Sequence, residues 1–164
     1  MRHHLTPDLS VARNDTGRTA YCGPVVVAAI TDFSVSRVED EIRSARRALG
    51  DLAGAEADAV IKGTTTADVD AALGVFGYRL AQLADHQHLP AKERPTVWSW
   101  MQRPRSAFAH YVLAVMKGRE GHWICVRGTK MCDTFTNGRW VFVADGPHRG
   151  ARILEVFQVK RAAG

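Results

Sequence analysis

Between Cys22 and Phe33 the chain is apolar at almost every position, reading CGPVVVAAITDF. A helix that is apolar on all sides belongs in the middle of a core. Pro24 suits its first position, where a missing N–H costs no hydrogen bond. From Ser36 to Leu49 charged residues alternate with apolar ones at helical spacing. Ser36 followed by Glu39 three positions on predicts a capping box at the start of a second, amphipathic helix. The stretch TTTADVDAALGVFGYRL predicts a third helix, with a threonine cap, Asp68 and Asp70 near its positive end, and Gly74 or Gly77 near its stop. A short helix over Trp98 to Gln102 is also expected.

Beyond Pro104 the pattern changes. HYVLAVMKG, HWICVRG, MCDTFT, RWVFVA and ARILEVFQVK are short runs rich in β-branched and aromatic residues, separated by glycine or polar pairs. Asn137-Gly138 is a strong hairpin signal among them. The expectation is a helical N-terminal half packed on a C-terminal antiparallel sheet, an α+β fold.

Length and composition narrow this picture. The 164 residues fit a single domain, 1–164, in which 1–13 are polar and form an extended entry segment. With 46% hydrophobic and 24% charged residues the chain is an ordinary globule rather than a disordered one. No run approaches eighteen apolar residues, which argues against a membrane helix. The N-terminal stretch has no apolar segment typical of a secretory signal, and Cys22, Cys125 and Cys132 are too few and too widely spaced for a disulfide framework. A cytoplasmic location is the expectation. The net charge of +5 invites nucleic acid, but the arginines are dispersed among acidic residues rather than clustered, so nucleic-acid binding is not expected. Nothing in the sequence specifies an oligomeric state.

Cys22 carries the candidate chemistry. A thiolate at a helix N-terminus faces unpaired backbone N–H groups and the positive end of the helix dipole, and both favour the ionised form. Gly23 leaves room for a substrate, and the Cys22 N–H could serve in an oxyanion hole. Such a nucleophile needs a base from elsewhere in the chain. His122 opens a strand whose alternation separates it, with Ile124 and Val126, from Trp123, Cys125 and Arg127. If an even-length turn within Arg127–Lys130 joins this strand to the next, Asp133 falls on the His122 face and could orient the imidazole. Taken singly, a buried thiol, a rim histidine and a turn aspartate are all ordinary. Their combination, in this order and on these elements, is not.

YCGPVVVAAIT followed a hundred positions later by GHWICVRG resembles the papain-like cysteine peptidase fold, and within it the C39-like group with its compact bacterial and phage-encoded members. The likeness spans about Asn14 to Val159. It implies that Cys22 is the nucleophile, His122 the general base and then acid, and Asp133 in CDTFTNG the orienting residue of a catalytic triad. The implied activity is that of a thiol protease cleaving a peptide or isopeptide amide in a peptide or protein substrate. An acyltransferase or cell-wall amidase would use the same dyad, and a binding or virion-structural module could retain the fold without catalysis. Two features depart from the family pattern. Thr16 stands near the position where a glutamine commonly donates to the oxyanion, which leaves Asn14 as the candidate amide. Asp145 in VFVADGP also offers a carboxylate, with Asn137 a more distant alternative.

Other features point nowhere in particular. Cys125 and Cys132 lack zinc-finger spacing, and Cys125 is expected in the core. Asp85, His86 and His88 lie in a polar loop, where no metal is expected. Trp98, Trp100, Trp123 and Trp140 fit a core or a cleft wall. No glycine-rich phosphate loop is present, and no cofactor is implied.

Overall fold

The computed structural model describes residues 11–17, 21–51, 55 and 60–163. Most of the expected entry segment, residues 1–10, lies outside them.

Helix α1 (Cys22–Thr31) is buried from Gly23 to Ile30, as its uniformly apolar sequence requires. Tyr21 is its N-cap, so Cys22 occupies the first helical position and Pro24 the third rather than the first. The first intrahelical bond runs from Val25 N–H to the Tyr21 carbonyl. Pro24 therefore still sits where a helix has no use for a donor. Helix α2 (Val35–Ala48) begins two residues earlier than the sequence suggests. Its cap is Ser34, which accepts from Arg37 N, and not Ser36. The expected partner of Ser36, Glu39, is instead buried and paired with Arg43 at 3.3 Å. Helix α3 (Thr66–Val75) has the anticipated capping box, with Thr65 and Asp68 each accepting from the other's backbone N–H. Asp68 also pairs with Arg46 at 2.8 Å, which ties α3 to α2.

Among the described residues six strands form one antiparallel sheet: β1 (Tyr78–Asp85), β2 (His110–Lys117), β3 (Glu120–Arg127), β4 (Lys130–Cys132), β5 (Val141–Phe142) and β6 (Arg152–Arg161). Their spatial order is β1-β6-β2-β3-β4-β5. The fold is α+β, but the halves are less cleanly divided than expected, because β1 belongs to the sheet from within the first half of the chain. Residues of alternate parity feed two cores. Val112, Ala114, Trp123, Cys125 and Phe157 pack with α1, α2 and α3. Leu113, Val115, Ile124, Val126 and Val156 pack with the short helix α4 (Val97–Met101). Among the described residues no helix is long and apolar enough to cross a membrane.

Two turns decide the neighbourhood of the site. Arg127 pairs with Lys130, so Gly128 and Thr129 form a two-residue turn between β3 and β4. The turn is of even length, which leaves Asp133 on the parity of Ile124 and His122. β4 stops at Cys132 and covers only Cys125–Arg127 of its neighbour. The first half of β3 is thus left without a β4 partner, and His122 lies in that stretch. Asn137 and Gly138 take left-handed conformations, φ 53° and 73°, but inside the longer connection 133–140 rather than in a two-residue hairpin. Gly138 is held there closely: a Cβ at this position would meet the Ala12 backbone.

Candidate active site

The N-terminus of α1 has no side-chain cap. Its first N–H groups are therefore available to whatever lies in front of them, and the half-buried thiol of Cys22 is part of that end. Hydrogen bonds from the Trp123 and Gly23 backbone reach the sulfur, and its side-chain partner is His122. Burial works against the thiolate, but these bonds together with the positive imidazole outweigh it, and the pKa of Cys22 falls below the ordinary thiol value.

His122 Nε2 lies 2.7 Å from Asp133 Oδ2. With that nitrogen engaged, Nδ1 is the ring atom left for the thiol. Burial alone would discharge the imidazole, yet the bonds to Asp133 and Cys22 prevail and raise its pKa to about 9. The thiol and the imidazole are thus shifted in opposite directions. Each stabilises the charged form of the other.

Asp133 is fully buried. Its Oδ1 accepts from Thr136 N at 2.9 Å, its own N–H donates to Thr136 Oγ1, and its carbonyl accepts from Gly138 N. The carboxylate is held by the turn that follows β4 as well as by His122. A second histidine, His148, places its Nε2 2.6 Å from the same Oδ2. Burial pushes the carboxyl pKa up, but the bonds from His122, His148 and Thr136 outweigh it and hold Asp133 well below the usual carboxylate range.

Cys22 and His122 line a cleft of about 900 Å³, with Asp133 and His148 buried behind them. One wall is Tyr21, Cys22 and the loop Lys62–Thr66. The lining also includes Glu120, Gly121, Trp123 and Phe135. Trp123 Nε1 donates to the Thr64 carbonyl at 3.1 Å and so pins the loop to β3. Thr64 packs directly over Gly23, where an added Cβ would overlap the threonine side chain. Gly23→Ala is therefore expected to displace this loop and to cost about 1–3 kcal/mol of overpacking strain. Denaturant unfolding of the variant measures the cost, and an unchanged midpoint would contradict the close approach.

Of the other residues singled out in the sequence, Asn14 is not in the cleft wall; its Oδ1 accepts from Thr16 N and Thr16 Oγ1. Asp145 is exposed at the end of a 3-10 turn, and Asn137 is exposed in the 133–140 connection. Cys125 and Cys132 are buried cross-strand neighbours and free thiols. Burial pushes the first well above the ordinary value and the second up to about 12. Two contributors were not anticipated. His148 lies in a turn, GPHRG, where no hydrophobic period marks a residue as facing a site. Phe135 is 52% exposed, sets its ring edge-on to both histidines at 5.1 Å, and lies beneath the ammonium of Lys117.

His122, Asp133 and His148 each bring a ligand atom within 4.8 Å of the others, the number needed for a three-ligand metal site. Both Nε2 atoms, however, converge on one carboxylate oxygen at hydrogen-bond distance. That arrangement is fully satisfied by two imidazole N–H donors. Asp85, His86 and His88 do not form such a group among the described residues.

In comparisons with known proteins, no family model and no curated protein matches the chain.

Proposed function

We propose that this protein is a cysteine hydrolase of papain-like fold that cleaves a peptide or isopeptide amide. The observation that carries this reading is the His122–Asp133 hydrogen bond at 2.7 Å beside the half-buried Cys22 thiol, which this imidazole holds below its ordinary pKa, with Cys22 and His122 both opening on a cleft. A core thiol has no use for a charged imidazole, and a surface histidine has no use for a buried carboxylate.

The chemistry follows from the positions. The Cys22 thiolate adds to the amide carbon, forming the C–S bond while the carbonyl electron pair moves onto oxygen. That oxyanion meets the uncapped N-terminus of α1, including the Cys22 N–H. The tetrahedral species collapses, the C–N bond breaks, and imidazolium His122 gives its proton to the departing amine. A thioester on Cys22 remains. His122, now neutral, takes a proton from water as the water oxygen attacks the thioester carbon, and the thiolate leaves. Asp133 holds the ring in position and stabilises its cation throughout. An amine in place of water would make the same site an acyltransferase.

Alkylation tests the reading without knowledge of the substrate. Iodoacetamide at pH 6 is expected to label one thiol per chain, Cys22, and to leave Cys125 and Cys132 untouched. Iodoacetate is an anion drawn in by the imidazolium, so its rate should fall again as His122 loses its proton at about pH 9. Three equivalent thiols, or a single rise at the free-cysteine value, would point instead to a non-catalytic module.

A further inference from the structure

His148 plays no part in the steps above, yet it is as deeply placed as the residues that do. It is 3% exposed, its ring lies 4.8 Å from that of His122, and its backbone is held by a bond from Ala151 N–H to its carbonyl. Its Nε2 and that of His122 meet at the same oxygen of Asp133, at 2.6 and 2.7 Å. Oδ1 is meanwhile taken by Thr136 N. The carboxylate is thus bound on both oxygens and cannot turn away from His122.

We propose that His148 is a positioning residue for the Cys22–His122 pair, acting by sharing the Asp133 carboxylate with His122. The proposal rests on the hydrolase reading. An oxygen that accepts two N–H donors offers each of them less charge than an oxygen accepting one. His148 consequently fixes the carboxylate in place and at the same time restrains its pull on the His122 proton. His122 needs both effects. It must be cationic when the thiolate attacks, and it must still release its proton to the leaving amine.

The titratable groups that face this carboxylate come from several elements. They are His122 on β3, Cys132 at the end of β4 and His148 itself, while Cys22 at the start of α1 faces His122. Lys117, at the end of β2, is set over the ring of Phe135, which stands edge-on to both imidazoles. Whether His148 is neutral or charged, its removal has one sign: the Asp133 charge falls undivided on His122, and the imidazolium is held more tightly.

The test is the pH profile of iodoacetate labelling in His148→Leu and His148→Gln. The leucine variant should move the alkaline fall of the wild type upward by about one pH unit. On p-nitrophenyl acetate its kcat should drop about tenfold with little change in KM. Glutamine can still donate an N–H to Oδ2, and its profile should stay within about 0.3 unit of the wild type. A purely structural His148 would lower stability without moving the profile, so an unmoved or downward-moved limb in folded His148→Leu overturns the proposal. If the leucine variant does not fold, nitrogen-15 NMR of the wild type decides: both histidines should carry a proton on Nε2 at pH 7. A bare His148 Nε2 overturns the proposal, as does zinc retained by the purified protein. A wild-type thiol without low-pH reactivity overturns the hydrolase reading and this proposal with it, whereas a normal wild type with an unmoved His148→Leu overturns this proposal alone.

Discussion

Replacing Cys22 with alanine is expected to reduce acyl transfer from p-nitrophenyl acetate to the background of the reagent in water, a loss on the order of 10⁴ or more. No other described thiol can substitute. Cys125 is buried with its pKa driven upward, and Cys132 is pushed up to about 12. The mass of the wild-type protein should rise by one acetyl group, and that of the variant should not. Stability should change little, because the half-buried sulfur sits at the lip of the cleft and alanine suits a first-turn position. A variant that still forms the acetyl-enzyme while Cys125→Ala does not would transfer the nucleophile's role to Cys125.

Asp133→Ala is expected to have the second largest effect, for reasons of both rate and stability. Orienting carboxylates of this type contribute on the order of 10⁴ in the serine-protease template. Here the loss also strands two imidazoles and the Thr136 N–H in the interior. Breaking a buried charged network costs about 3–5 kcal/mol, which denaturant unfolding at pH 7 measures. The pH dependence gives a sharper signature. The folded pKa of Asp133 is depressed, so its contribution is fully present above the unfolded carboxyl value near 4 and is lost as pH falls through the folded value. The stability gap between wild type and variant should therefore narrow in acid. The His122 pKa is raised to about 9, partly by Asp133. Without that partner, the alkaline fall in iodoacetate labelling should move down toward the ordinary imidazole value of about 6.5. This is opposite in sign to the shift expected for His148→Leu. An alanine variant with a wild-type rate and an unmoved profile would remove Asp133 from the mechanism.

How far the sequence reveals this arrangement depends on how local each signal is. Cys22 is legible because Gly-Pro after it and an apolar run beyond it mark a buried helix start. His122 is legible from the alternation of a core strand, and Asp133 from parity across Gly128-Thr129. His148 has no such marker. It lies in a turn, and its hydrogen bond to the site goes to a carboxylate fifteen positions away. The strand β1 is illegible for a different reason. YRLAQLAD has no clean alternation, and its burial is correspondingly irregular, since it is an edge strand paired only with β6. Ser36 looked like the better cap because Glu39 completes a capping-box spacing. The preference reverses once Glu39 is drawn inward to Arg43 and the Ser36 hydroxyl is taken by Asp15. Local patterns thus located the elements, while long-range pairings settled their ends.

The strand order has a consequence for how the site is assembled. β6 follows every other strand in sequence, yet it lies between β1 and β2, pairing Tyr78 with Arg161 and Tyr111 with Gln158. Contacts spanning so much chain close late, because loop entropy is spent before they return anything. The environment of Cys22 likewise depends on distant segments, drawing on residues 22, 122, 123 and 133. On the hydrolase reading, a chain in which these segments have not yet met carries at Cys22 an ordinary thiol with no imidazole beside it, so the reactive pair exists only in the assembled fold.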